Sequence, residues 1–331
     1  MPARQASEND DYPGTAMNLE TKPPSARESQ TQAQAPVSAG AIKETTAPTS
    51  ARDDGFTSER HVYRPHRVGL PPILPYVRGV WRRRQFTFEL SRTTLRSSHF
   101  DTVFGQLWLV INPLLLAAVY FILVEILRQR SGGAPFFAHL MAGLFVFYFF
   151  ASSVNQGAKS VVGGGKLILN TAFPRTLLPL SSVVTAFMRF LPTLAIYAVM
   201  HVVAGLPVGV HLLWAIPIFA MIAIFASGVA MLFAAAQVYF RDLSSFLPYV
   251  TRIWLYASPI LYYAEEVPER FKPILALNPL YPLLASWSDV LNQGQQPSAG
   301  LMLWGLAWAL VAFVAGGLFF ISREREFAVR L

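Results

Sequence analysis

No cysteine occurs among the 331 residues, so neither a disulfide nor a thiolate metal site is open to this chain. Charge is scarce as well: 14% of residues are Asp, Glu, Lys or Arg, against 53% hydrophobic. A soluble domain carries about a quarter charged residues, so a polytopic membrane protein is expected instead. No apolar run follows Met1, and a cleavable signal peptide is not expected. No H-E-x-x-H or similar spacing orders the histidines. His139, His201 and His211 read as single interface side chains; an outward acidic or metal site made from them with Glu125, Glu265, Glu266, Glu269 and Asp289 is the lesser reading. No nucleophile, base and orienting acid can be assembled, so no catalytic residue and no metal ligand is assigned.

A phosphate loop is also missing, although one stretch imitates it. In "VVGGGKLILNTAFPRTLLPL", Val161 to Leu180, three glycines precede Lys166, but Leu167 follows where a hydroxyl residue is needed to hold magnesium. Ser160 stands where the first glycine of the loop should be. Nucleotide is therefore not expected on this chain.

Six apolar stretches are each long enough to cross a bilayer, which takes about 20 helical residues: Leu107 to Leu127, Phe136 to Gln156, Leu177 to Ala204, Leu212 to Val238, Phe246 to Tyr263 and Leu301 to Ile321. The fold class is all-α. The net charge of +8 could suggest nucleic acid, but the basic residues flank the apolar runs and so read as topology. One set of flanks holds the arginines between 78 and 96, Lys159, Lys166, Arg175, Arg241 and those between 323 and 330. The other holds Arg128, Arg130, Arg270 and Lys272. Both termini are thus expected in the cytoplasm, with the glycine stretch on the same side. Arg241 and Asp242 are expected to pair at the inner end of the fourth span.

Residues 1–70 are rich in Ala, Ser, Thr, Gln and Pro and lack large apolar side chains, a composition expected to stay disordered. Within 71–103, Val77, Trp81, Phe88 and Leu95 recur on one side of a helix among several arginines, as in a helix lying along the membrane surface. Residues 104–331 form the membrane domain. Between the fifth and sixth stretches, "AEEVPERFKPILALNPLYPLLASWSDVLNQGQQPS" is too polar to span and too apolar for a free loop. Short re-entrant helices in the outer leaflet are expected there.

"GQLWLVINPLL", "FPRTLLPL", "YFRDL", "SPILYY" and "LNPLYPL", in that order, resemble the membrane subunits of ABC-2-type exporters. The resemblance is to the polysaccharide-export permeases of the Wzm type, and to actinobacterial members that export lipid-linked galactan. It implies a homodimer in the bacterial plasma membrane, two copies of a separate ATPase that hold ATP and magnesium, and a glycan on polyprenyl pyrophosphate as cargo. It also implies that the loop between the second and third spans is a coupling helix that docks on the ATPase. On this chain that loop offers Lys166, Leu167, Ile168, Asn170, Phe173, Pro174 and Arg175, with Leu167, Ile168 and Phe173 as an apolar knob. Alternatives are an ABC-2 permease for a drug or small lipid, or a membrane enzyme acting on lipid-linked sugars.

A glycan path needs flat aromatic faces for sugar rings and cations for phosphates. At about 100° per residue, Tyr249, Arg252, Tyr256 and Tyr263 share one side of the fifth stretch, and Ser182, Thr185 and Arg189 form a polar line on the third. These seven residues are the expected conduit.

Overall fold

The computed structural model describes residues 72–97, 107–128 and 133–331, all helices and connecting turns, with no strand among the described residues. The proposed tail at 1–70 and the segment 98–106 lie outside them. Two inner helices carry the architecture: α4 (Gly133–Gly163) and α7 (Ala215–Tyr239). They are buried on most sides because α6 (Leu177–Val203), α11 (Ala299–Arg323) and α3 (Trp108–Arg128) pack around them. The outer helices turn Val199, Val202, Leu310, Val311, Leu115 and Val119 outward. Apolar side chains exposed over whole helix lengths suit lipid, not water.

Four helical runs are long and apolar enough to cross a membrane: Gly133–Gly163, Leu177–Val203, Val210–Tyr239 and Ala299–Arg330. In α3 the apolar part, Val110–Ile126, is shorter. The fifth expected span departs most from the sequence reading. Helix α8 covers Leu243–Tyr256, so its 14 residues reach about 21 Å at ~1.5 Å per residue, short of the ~30 Å hydrocarbon core. Pro259 disfavours helix at Ser258, and the chain turns from Ala257 to Tyr263.

Packing of the inner pair depends on small residues. A Cβ on Gly157 of α4 would meet the Ala230 side chain of α7 at 2.7 Å. On the other side of α7, Gly228 and Gly316 of α11 cross so closely that the Gly228 carbonyl occupies the place of a Gly316 side chain. Without side chains the two backbones can touch, which in a membrane supplies most of the association energy.

The surface helix is two pieces, α1 (Ile73–Arg82) and α2 (Arg84–Ser97), broken at Arg83. Val77, Trp81 and Phe88 are largely exposed, and Trp81 and Phe88 also border an apolar groove against α6. The inward side mixes half-buried Val80, Phe86 and Leu90 with Ser91, which is fully buried and whose hydroxyl hydrogen lies between the carbonyls of Thr87 and Ser181, at 2.7 and 2.8 Å. The helix is therefore tied to α6 by the Ser91–Ser181 hydrogen bond, and its exposed aromatics suit the membrane interface.

Between α8 and α11 the prolines start short helices, as their missing N–H allows. Pro273 opens α9 (Lys272–Leu277) and Pro282 opens α10 (Tyr281–Ser288), which runs into a π turn at Asp289–Gln293. Asn278 ties this segment to α8. Its Oδ1 accepts from Trp254 Nε1 at 2.8 Å, and its Nδ2 donates to Ser258 Oγ at 3.0 Å. Thus "SPILYY" and "LNPLYPL", far apart in sequence, meet in one knot. Trp287 Nε1 donates to the buried Ala142 carbonyl at 3.0 Å, seating α10 on α4.

Candidate functional site

Helices α4 and α6 are joined by an elbow. Helix α4 stops at Gly163 and α5 (Gly165–Asn170) starts just after Gly164. Gly164 has φ −88°, so no left-handed backbone is needed there. Space is what excludes a side chain, since a Cβ would sit 2.9 Å from the Ser160 carbonyl and 3.0 Å from Leu178 Cδ1.

The elbow's apolar residues divide in a way the sequence does not reveal. Ile168 is 5% exposed, packed with Val161, Leu178, Phe320 and Phe327. Leu167 and Phe173 are half-buried, and the Phe173 ring lies 5.2 Å from that of Phe86 on α2. The residues that face outward are Lys166, Leu169, Asn170, Thr171 and Ala172, with Leu169 62% exposed. Asn170 Nδ2 donates to the Lys166 carbonyl at 2.8 Å and caps the short helix. The knob expected from Leu167, Ile168 and Phe173 is therefore mostly the elbow's attachment, and its exposed apolar tip is Leu169.

Pro174 is half-buried, and Arg175 after it belongs to a clasp. Tyr76 of α1 donates to Glu324 Oε2 at 2.6 Å, and the Arg175 backbone N–H donates to Glu324 Oε1 at 2.7 Å. The Arg175 guanidinium binds the Glu324 carbonyl, and Tyr76 also meets Thr176 Oγ1 at 3.0 Å. Burial and the adjacent carboxylate push the Tyr76 phenol well above its ordinary pKa, so it remains a donor. These hydrogen bonds tie the surface helix, the elbow and the end of α11 together. Arg241 does not pair with Asp242; it reaches the Arg330 carbonyl at 3.4 Å instead.

A second feature is a cleft of about 530 Å³ between α3, α4 and α8. Arg252, Tyr256 and Thr251 line it from α8, Tyr148, Ser152 and Asn155 from α4, and Tyr120 from α3. The Tyr120 and Tyr256 hydroxyls are 3.2 Å apart with rings edge to face. Asn155 Nδ2 donates to Thr251 Oγ1 at 3.2 Å. A smaller cavity of about 230 Å³ holds Arg189 with Trp108, Asn112 and Phe190, and it too is lined by Tyr148 and Ser152. Two arginines from separate helices thus sit in neighbouring cavities that share a tyrosine and a serine.

Other expected conduit residues lie elsewhere. Tyr249 shares the α8 face but is 65% exposed outside the cleft. Tyr263 lies beyond the end of α8, its ring tilted against that of His139 at 4.3 Å and edge-on to that of Phe136 at 5.9 Å. Thr185 is buried and donates to the Ser181 carbonyl at 2.8 Å; Ser182 leans to the Leu178 carbonyl at 3.5 Å. Tyr148, Ser152 and Asn155, which the sequence reading omits, follow one another at i, i+4 and i+7, a polar helical stripe visible in the sequence. The phenylalanines around Tyr148 pack inward, Phe149 with Phe190 and Phe219 and Phe150 with Phe225 and Trp254.

At the opposite end His139 is buried and engaged by Ser288 Oγ at 3.0 Å. No cluster able to hold a metal occurs among the described residues. Burial, with Glu265 adding repulsion, pushes the Asp289 carboxyl up to about 6. The folded state then prefers the neutral acid, and the associated stability is full at low pH and lost as pH rises through about 6. Asp289→Asn should accordingly raise the melting temperature most at pH 7.5, less at pH 5, and leave it near wild type only below the ordinary carboxyl value of 3.8. An equal gain at both pH values would show that charge is not the cause.

A cleft with an arginine inside an apolar bundle, and an elbow with an exposed apolar tip, suit a membrane transport subunit. The chain belongs to the ABC-2 type transporter family, whose model matches residues 84–292. Membership implies a partner ATPase and a membrane location. The chain is 32% identical over 207 residues to the O-antigen export system permease protein RfbA of Klebsiella pneumoniae, covering 62% of this chain and 79% of that one. It is 28% identical over 263 residues to the protein of the same name in Myxococcus xanthus, covering 77% and 99%.

Proposed function

We propose that this chain is the membrane subunit of an ABC exporter that carries a lipid-linked polysaccharide across the bacterial inner membrane. The observation that carries the reading is the cleft of Tyr120, Tyr148, Tyr256 and Arg252, together with the O-antigen export relatives. Tyrosine faces suit sugar rings that must slide, and the guanidinium suits phosphate. The working unit is a homodimer with two ATPase subunits. Six spans are completed by α3 and by α8 with its continuation, while α9 and α10 re-enter the outer leaflet. Both termini and the elbow lie in the cytoplasm, as the basic flanks favour. ATP binding on the partner moves the elbow, and the clasp passes that motion to the surface helix and α11.

Arg252 is exposed on the cleft wall, so Arg252→Gln should fold and insert normally. Losing a charge-assisted hydrogen bond of ~1.5–3 kcal/mol should cut export about tenfold or more and leave lipid-linked glycan on the cytoplasmic face, with ATPase assembly retained. Export within twofold of wild type would remove Arg252 from the path.

A further inference from the structure

The surface helix encloses a second pair of recesses, unrelated to the cleft. An apolar groove of about 280 Å³ runs between α1–α2 and the α6–α7 wall, lined by Val80, Trp81, Phe88, Leu180 and Val184 with Ser227 at α7. Its mouth is Arg84, and Arg84 and Phe88 also line an adjoining open recess of about 520 Å³ along α2 with Gln85 and Glu89. A slot for hydrocarbon therefore continues directly into a hollow holding one guanidinium and one carboxylate.

Arg84 donates only a long 3.4 Å bond to the Trp81 carbonyl and lies 5.3 Å from the centre of that ring. It forms no ion pair with Glu89, although both line the recess. Trp81 and Phe88, 69% and 54% exposed, flank the site as interfacial aromatics do.

We propose that this pair of recesses is a phospholipid site, selective for a headgroup that carries both a phosphate and a primary ammonium, as in phosphatidylethanolamine. One acyl chain fills the apolar groove. Arg84 binds the phosphate, and Glu89 accepts the ammonium hydrogens, completing the separated charges across one ligand. A quaternary ammonium has no N–H to donate, and a glycerol headgroup has no cation, so phosphatidylcholine and phosphatidylglycerol fit less well. The occupied lipid would brace α1–α2 against α6 beside the clasp.

The test uses the full chain in nanodiscs with acyl-brominated lipids, reading bromine quenching of Trp81 fluorescence as the difference from Trp81→Phe. Brominated phosphatidylethanolamine in a phosphatidylcholine background should quench at about fivefold lower fraction than brominated phosphatidylcholine or phosphatidylglycerol, each interfacial charge contributing roughly that factor. Glu89→Gln should abolish the preference for the ethanolamine lipid, and Arg84→Gln should weaken all three. Both side chains are exposed, so the variants keep the fold. Equal quenching by the three lipids, or a phosphatidylglycerol preference that Glu89→Gln leaves unchanged, would overturn the proposal. Neither readout depends on transport.

Discussion

Leu169→Glu should insert at wild-type levels and lose export, together with stimulation of the partner ATPase, by about tenfold or more. Leu169 is 62% exposed at the tip of the elbow, so the charge costs the isolated subunit almost nothing. Against an apolar partner cleft it would be desolvated without a counter-charge, a cost of several kcal/mol. Ile168→Glu, one residue earlier, should behave in the opposite way. Its side chain is fully packed among Val161, Leu178, Phe320 and Phe327, and the charge would be buried inside the subunit itself, so the protein should be scarce in the membrane. Fluorescence-detected size exclusion separates the two effects from ATPase measurements. Normal coupling by Leu169→Glu, or wild-type abundance of Ile168→Glu, would show that the elbow's faces are assigned the wrong way round.

Gly316→Val should leave little assembled protein, whereas Gly317→Ala should be silent. The Gly228 carbonyl fills the space a side chain at 316 would need, while a Cβ at 317 meets only Met231 Cε at 3.6 Å. Backbone cannot move aside as a flexible side chain can, so α7 and α11 must separate. Overpacking of this kind costs ~1–3 kcal/mol or more and here also removes the close contact that holds the helices together. Gly316→Ala should already lower the melting temperature, and an unchanged value would contradict the close crossing.

Helices α4, α6, α7 and α11 are legible in the sequence because each is a long, predominantly apolar run bounded by polar or basic residues. The end of α8 is not, since the apolar run continues through Leu261 and Tyr262 while Pro259 and the Asn278 knot turn the backbone away. That error carries Tyr263 off the expected face. Arg252 and Tyr256 precede the turn, so helical spacing places them correctly. The rest of the cleft wall comes from α3 and α4, and only the tertiary packing brings Tyr120 within 3.2 Å of Tyr256. The elbow shows a similar limit. Its composition indicates an apolar knob, but whether Ile168 or Leu169 faces outward depends on Phe320 and Phe327, some 150 residues further along the chain. Clasps such as Tyr76, Arg175 and Glu324 are likewise invisible locally, because each member alone reads as an ordinary interfacial residue.

The measurement that bears most directly on the account is glycan translocation in proteoliposomes holding this chain, with or without the partner ATPase and loaded with lipid-linked polysaccharide. The account predicts ATP-dependent appearance of the glycan on the far side only when both proteins are present, and no ATP hydrolysis by this chain alone. Translocation or ATP hydrolysis by the chain without its partner would contradict it.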